Sequence, residues 1–335
     1  MGDLGLFGLP FPVEYGGSGS GLLTLCIAIE EISRADASLG ITLEAAGGLG
    51  ANPIYRYGTR EQKDRWLPDL VAGRALAGFG LTEPDAGSDA GATRTRAELV
   101  DGEWVINGEK AFITNSGTPI TSLVTVTART GPGEISSIIV PAGTPGFEVD
   151  PPYRKMGWRA SDTRGLHFED CRVPEENLLG ERGRGFRQFL AILNDGRVAI
   201  AAMAVGIAQA CLEQAVGYAR EREAFGRKIG AYQGVAFRCA DMAVAVDAAR
   251  LLTYRAAWLA DAGRPFRQEA AIAKLYASEI AVDASRHATQ IFGGYGFVDE
   301  TPVSRFYRDA KALEIGEGTS EIQRLVIARG LGLPL

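Results

Sequence analysis

The sequence predicts an α+β multidomain protein with an N-terminal helical segment (residues 1–75), a central antiparallel β-barrel (76–185) and a C-terminal α-helical bundle (186–335). Three observations predict it. The apolar period changes from helical to strand-like near residue 76 and back near 186. Gly and Pro mark both changes. A chain of 335 residues accommodates two or three domains at about 150 residues each. The order also excludes the alternating βαβ pattern of dinucleotide folds, and neither a strand-GxGxxG-helix unit nor a GxxxxGK[ST] loop occurs.

The first zone opens with turn formers, Leu9-Pro10-Phe11-Pro12 and Tyr15-Gly16-Gly17-Ser18-Gly19. Apolar Leu22, Leu25, Cys26 and Ile29 predict a helix over residues 22–35. A short helix is expected from Arg60 to Leu67, stopped near Pro68. In the second zone, residues 99–106 read as strand, Asp101-Gly102 turn, strand. Asn107-Gly108 predicts a further turn, and residues 122–128 and 135–140 are Val/Ile/Thr-rich strands. Short strands at this spacing fit a compact antiparallel sheet or barrel. The third zone is Ala-rich. Long helices are expected near 186–220, 232–262 and 268–292, with shorter ones near 301–312 and 321–328. Gly226, Gly230, Gly263, Pro265, Gly293-Gly294 and Gly316 separate them, as in a bundle of antiparallel helices.

Composition narrows the function. With 35 Lys and Arg against 41 Asp and Glu, the net charge of −6 disfavours a nucleic-acid partner. The 43 glycines, about twice the usual ~7%, serve turns and close backbone approach. Cys26, Cys171, Cys211 and Cys239 lack CxxC spacing, so neither a disulfide framework nor a zinc site is expected. Cys171, Cys211 and Cys239 are expected to be buried small hydrophobes. His167 and His287 lack HExxH spacing, and no metal is expected. The start shows no basic region followed by an apolar run, so no signal peptide is expected. The most apolar run, residues 198–208, is shorter than the ~20 residues of a membrane span. The cytoplasm is the expected compartment.

Two segments concentrate chemistry. Gly80-Leu81-Thr82-Glu83-Pro84-Asp85-Ala86-Gly87-Ser88-Asp89 combines turn formers with hydroxyls and carboxylates. It fits either a loop that aims N–H groups and hydroxyls at a ligand or an ordinary polar turn. In Ile315-Gly316-Glu317-Gly318-Thr319-Ser320-Glu321, Ser320 and Gln323 have capping-box spacing, so a helix should start there. Helix N-termini favour anions. Glycines on both sides of Glu317 leave room for a ligand to reach its carboxylate, as a general base requires. A solvated Glu before a capped helix has the same local pattern.

Taken together, these segments resemble the acyl-CoA dehydrogenases, FAD-dependent enzymes of thioester oxidation. Lys110-Ala111-Phe112-Ile113-Thr114-Asn115 resembles the family's flavin-side strand. Arg222-Glu223-Ala224-Phe225-Gly226 with Gln233 resembles its Arg-x-x-Phe-Gly motif and following Gln. Gln290-Ile291-Phe292-Gly293-Gly294-Tyr295-Gly296 resembles its Gln-x-x-Gly-Gly-x-Gly motif. The resemblance covers nearly the whole chain. It implies that Glu317 removes the α-proton of an acyl-CoA thioester, that flavin N5 takes the β-hydride, and that the product is a trans-2-enoyl-CoA. It implies flavin contacts from Phe79, Leu81, Thr82, Gly87 and Ser88 on one side and Phe112, Ile113 and Thr114 on the other. Arg222, Phe225 and Gln233 would hold the diphosphate and adenosine end. Gln290, Ile291, Gly293 and Gly294 would do so from a neighbouring subunit, and Thr319 and Glu321 meet the same cofactor. Ser88, Asn194, Arg197 and Gly318 would touch the CoA ester.

The resemblance further implies a homotetramer or homodimer and an electron-transfer flavoprotein as acceptor. Two alternatives remain at this point: an acyl-CoA oxidase, and a non-catalytic acyl-CoA-binding subunit. Several positions depart from the family pattern. Phe112 stands where many members have Trp, Asn194 where several have Asp, and Gly316 where Tyr is common. Gly196 lies where some branches place their base, which leaves Glu317 as the base. The family usually carries additional helices before the segment that opens this chain.

Overall fold

A computed structural model describes residues 1–334. The chain forms two compact units. The first comprises residues 1–21, 42–154 and 161–196, and the second residues 22–41, 155–160 and 197–335.

The first unit opens with three 3-10 turns, Gly2–Leu4, Leu6–Gly8 and Val13–Tyr15. They place Phe11, 1% exposed, in a core with Ile54, Leu67 and Leu70. A Cβ on Gly17 would lie 2.0 Å from the Phe11 carbonyl oxygen, so only glycine fits this close crossing.

Helices α1 (Gly21–Ala35) and α2 (Ala37–Glu44) follow. A π-helical stretch, Ala45–Ala51, then leads into α3 (Asn52–Tyr57). Helix α4 (Arg60–Val71) begins at a Thr59–Gln62 capping box. It does not stop at Pro68, as its sequence predicts, but continues through it. Pro removes one hydrogen-bond donor, whereas the last turn buries Leu70 at 4% and Val71 at 1% exposure. That apolar anchorage outweighs the missing bond.

Strand β1 (Leu76–Gly80) enters an eight-stranded sheet with β2 (Arg96–Val100), β3 (Glu103–Thr114), β4 (Thr121–Gly131), β5 (Glu134–Pro141), β6 (Phe147–Val149), β7 (Thr163–Pro174) and β8 (Leu178–Leu179). The order is β6-β7-β3-β2-β4-β5-β8, with β1 also on β4. Most pairs are antiparallel, as expected, but β1 and β2 both meet β4 in parallel. The sheet core contains Trp104, Ile106, Val124, Ile138, Leu166 and Phe168. Asn107-Gly108 is not the predicted turn. Strand β3 runs through it to Thr114, with register shifts at Ile106/Gly108 and Lys110/Ile113. Gly108 has φ +144°, and a Cβ there would lie 2.7 Å from the Thr95 backbone. The glycine therefore serves a bulge and a close approach.

Helix α5 spans Gly185–Glu221, and its residues from Arg197 onward belong to the second unit. It is long and apolar enough to cross a membrane by length and composition, but most of it is buried within the protein. A two-stranded hairpin, β9 (Glu223–Ala224) and β10 (Arg227–Lys228), precedes α6 (Gln233–Asp261). Then come α7 (Arg267–Phe292), α8 (Pro302–Leu313) and α9 (Ser320–Gly330). The buried face of α7 is mostly Ala and Ser, including Ala270, Ala273, Ala277, Ser278, Ala281 and Ala284, which permits close helix packing. The Asp261 carboxylate accepts from the Leu22 and Leu23 N–H groups at 2.6 and 2.9 Å, capping α1. All four cysteines are free; Cys26, Cys171 and Cys211 are buried, while Cys239 is only half-buried.

Candidate active site

In the first unit, the polar segment after β1 is a braced loop. Glu83 and Ala86 exchange two backbone hydrogen bonds at 3.1 Å, closing the turn. The Glu83 side chain is 4% exposed and lies beneath it. One of its oxygens accepts from Lys110 Nζ at 2.7 Å, from Thr95 N at 3.1 Å and from the Thr93 hydroxyl. The other accepts from Arg94 N at 2.6 Å. Burial opposes ionisation of Glu83, but the Lys110 ammonium and these hydrogen bonds prevail and hold its carboxyl well below the usual range. Lys110, 1% exposed, also donates to Thr93 Oγ1 at 3.1 Å and Thr127 Oγ1 at 3.2 Å. The sequence reading assigned this pair no role. Its signal was a Glu in a polar loop and a Lys next to the apolar Ala111-Phe112-Ile113 run of a strand.

The brace joins the two segments expected to flank a flavin. Ala111 N donates to Thr82 O at 2.9 Å, so the Leu81–Thr82 loop is tied to the strand carrying Phe112, Ile113 and Thr114. Ile113 is buried, whereas Phe112 is 64% exposed at φ +61° and lies 5.2 Å from the Tyr153 ring. A left-handed backbone at an exposed aromatic residue is costly, and it presents the ring as an open platform. Phe79 is 9% exposed and stacks on Phe189 at 3.9 Å. Gly87 and Ser88 are exposed. Asn194 is half-buried, and its neighbour Asp195 pairs with Arg56 at 3.0 Å.

The second unit carries Glu317. Its backbone is left-handed at φ +52°, followed by Gly318 at +95°. Both carboxylate oxygens are buried. Arg197 on α5 is 5% exposed, and its guanidinium is pushed down by burial and pulled up by Glu317. Lys274 on α7 is fully buried and donates to Gly318 O at 2.8 Å. Burial pushes its ammonium down to about 8, with Glu317 the first charge opposing that shift. A Cβ on Gly316 would lie 4.0 Å from the Trp158 ring, so Trp158 borders the space beside the base. Lys274 and Trp158 escaped sequence reading because their neighbours come from distant segments.

Helix α9 does begin where expected, but Thr319 is its N-cap, its hydroxyl accepting from Ile322 N at 3.4 Å. Ser320 is the first helical residue, and Gln323 donates instead to the carbonyls of Gly318 at 2.8 Å and Glu317 at 3.3 Å. The side chain at the fourth helical position thus locks the turn before the helix. Glu321 is exposed on the first turn of α9. Arg222 and Phe225 lie on the β9–β10 hairpin segment, where Phe225-Gly226 forms the tip at φ +52° and +80°. Phe225 is 96% exposed. Arg222, Gln233, Gln290, Gly293 and Gly294 are also exposed, and Ile291 is buried. In the first unit the exposed Phe112 offers an apolar face of the kind a flavin ring requires; in the second, the exposed Phe225 and the capped N-terminus of α9 offer an apolar face and N–H groups suited to an aromatic ring and an anion.

The sheet unit carries an open aromatic platform, and the helical unit carries a buried carboxylate with two buried cations near it. Models for the N-terminal, middle and C-terminal domains of acyl-CoA dehydrogenase match residues 1–74, 78–171 and 183–332. The probable acyl-CoA dehydrogenase YngJ of Bacillus subtilis is 53% identical over 99% of this chain and 88% of its own length. The structure of butyryl-CoA dehydrogenase from Megasphaera elsdenii matches with a TM-score of 0.96 and 43% identity, over 98% of this chain and 88% of that one. A chain in a structure described as the electron transferring flavoprotein of Acidaminococcus fermentans also matches, with a TM-score of 0.96 and 44% identity, over 99% of this chain and 88% of that one. The chain belongs to the acyl-CoA dehydrogenases, FAD-dependent oxidoreductases that act on acyl-CoA.

Proposed function

We propose that the protein converts a short saturated acyl-CoA to its trans-2-enoyl-CoA, with Glu317 as the base that removes the α-proton. The observation that carries this reading is the state of Glu317: left-handed backbone, buried carboxylate, and the buried cations Arg197 and Lys274 nearby. An α-proton beside a thioester is weakly acidic. A base in a dry, fixed position gains orientation and avoids solvent reorganisation, and the nearby cations Arg197 and Lys274 attract its charge. The Glu317 N–H would stabilise enolate charge on the thioester oxygen.

Bound FAD supplies the acceptor for the β-hydride. Thr82 and Phe112 would hold its ring system, while Arg222, Gln233 and the start of α9 would hold its polar end. Arg197, Ser88, Asn194 and Gly318 would contact the CoA ester. The butyryl-CoA dehydrogenase likeness supports a short acyl chain, and the Acidaminococcus likeness supports an electron-transfer flavoprotein as acceptor. Self-association is supported by α6, where Phe237, Val244, Leu251 and Trp258 are 51–72% exposed at seven-residue intervals. An apolar stripe with this period is the pattern of a helix that packs on another helix.

The test is an anaerobic titration of the FAD-loaded enzyme with C4 to C16 acyl-CoAs. Bleaching of the flavin band is expected to be strongest for the shortest chains. Glu317→Gln is expected to retain FAD and lose turnover by several orders of magnitude; turnover near the wild-type rate in that variant would remove Glu317 from the reaction. Oxygen uptake in place of flavoprotein reduction would convert the reading to an oxidase.

A further inference from the structure

The turn that carries Glu317 is held by two side chains that converge on one carbonyl. Gly318 O accepts from Lys274 Nζ and from Gln323 Nε2, both at 2.8 Å. Lys274 and Gln323 are each 0% exposed. An ammonium carries a charge into a fully buried position at considerable cost unless it is paired, and a neutral donor would suffice to satisfy one carbonyl. The charge itself therefore calls for an explanation. Its hydrogen bond goes to the Gly318 carbonyl, while the Glu317 carboxylate next to that carbonyl attracts both the Lys274 ammonium and the Arg197 guanidinium on α5.

We propose that Lys274 is the positioning residue of the base: its ammonium fixes the left-handed Glu317–Gly318 backbone and holds the Glu317 carboxylate in its ionised form. The proposal rests on Glu317 being the base. The charged groups around Lys274 are Glu317, Glu314 and Glu321 from the turn and α9, and Arg197 from α5; Arg267, on the helix of Lys274, faces Arg197. Burial disfavours the ammonium and Arg197 repels it, while the three carboxylates favour it. Lys274 touches the turn through a carbonyl, so its effect on catalysis passes through Glu317. Gln323 supplies the same geometric restraint without charge, so the two residues separate geometry from electrostatics.

The sign is fixed. A cation beside a carboxylate lowers its pKa, so loss of Lys274 raises that of Glu317. The base is then protonated at higher pH, and the acid limb of kcat moves upward. Using the FAD-loaded enzyme with butyryl-CoA as probe, Lys274→Met is expected to shift that limb up by about one pH unit, so that kcat falls about tenfold at pH values well below the limb and little above it. FAD content and KM should stay within twofold. Lys274→Arg keeps the cation and is expected to retain the wild-type limb. Gln323→Leu is expected to lower kcat without moving the limb. A Lys274→Met limb within 0.2 unit of wild type, or a Lys274→Arg limb displaced as far as that of Lys274→Met, overturns the proposal. Should Lys274→Met fail to retain FAD, Lys274→Gln, also uncharged, carries the same comparison and the same outcomes. An inactive Glu317→Gln beside an unshifted Lys274→Met defeats this inference alone, whereas an active Glu317→Gln defeats the reading beneath it.

Discussion

Replacing Lys110 with methionine would leave Glu83 buried at 4% exposure without its counter-ion. Breaking one side of a buried pair costs about 3–5 kcal/mol. Glu83 would keep the Thr93 hydroxyl and the Arg94 and Thr95 N–H groups, and methionine fills much of the lysine volume. The loss should therefore lie near the lower end, about 3 kcal/mol, or roughly 6–12 °C in Tm for a folding unit of this size. The pH dependence identifies the cause. In the wild type Glu83 is held below its ordinary value of 4.5, so the folded state binds fewer protons than the unfolded. That stability is present above pH 4.5 and is lost as pH falls through the depressed folded value. In Lys110→Met, burial acts with the Lys110 attraction gone and raises the Glu83 carboxyl. Its penalty is then full at neutral pH and relieved as acid protonates it. Calorimetric scans from pH 8 to pH 4.5 should show the gap between variant and wild type narrowing. A loss below about 1 kcal/mol, or a gap constant over this range, would refute the reasoning.

Arg222→Ala should weaken FAD retention, read as absorbance lost on dialysis; unchanged cofactor content would remove Arg222 from the site. Leu251→Glu places a charge in the exposed stripe of α6 and should shift the assembly toward monomer by light scattering, with the helical circular dichroism signal retained. Two glycines of α5 should respond oppositely to alanine. A Cβ at Gly206 would lie 2.3 Å from the Glu30 carbonyl oxygen, so Gly206→Ala should destabilise by about 1–3 kcal/mol. Gly217 has nothing within 4 Å, so Gly217→Ala should stabilise by about 0.5–1 kcal/mol in a thermal shift assay.

The elements legible from sequence were those whose neighbours in sequence are also their determinants. Helix α1 declares itself by Leu25, Cys26 and Ile29 on one face, the β2–β3 hairpin by Asp101-Gly102, and α5 to α7 by long small-residue periods between glycines. What was missed depends on contacts between distant segments. Pro68 looks like a stop until the burial of Leu70 and Val71 is known, and Gly108 looks like a turn until Thr95 is placed against it. At the site, Glu317 was visible through its flanking glycines. Lys274 lies 43 residues upstream in an unremarkable Ala-rich helix, and only tertiary structure brings it to Gly318. Likewise Glu83 and Lys110 are 27 residues apart, and neither local pattern names the other.

The π-helical stretch constrains how the chain can diverge. Ala45–Ala51 is built from alanine and glycine apart from Leu49, so its side chains tolerate little bulk, and at Gly50 a Cβ would approach the Ala77 carbonyl oxygen to 2.6 Å. Deleting one residue from the flanking helical turns, with the wide turn kept, would rotate everything after it by about 100°. Asn52 and Arg56, which both hold Asp195 at 3.0 Å, would then face away from it. Descendants of this sequence are free to exchange small residues here, yet a change in length would have to be matched by a compensating insertion before α3.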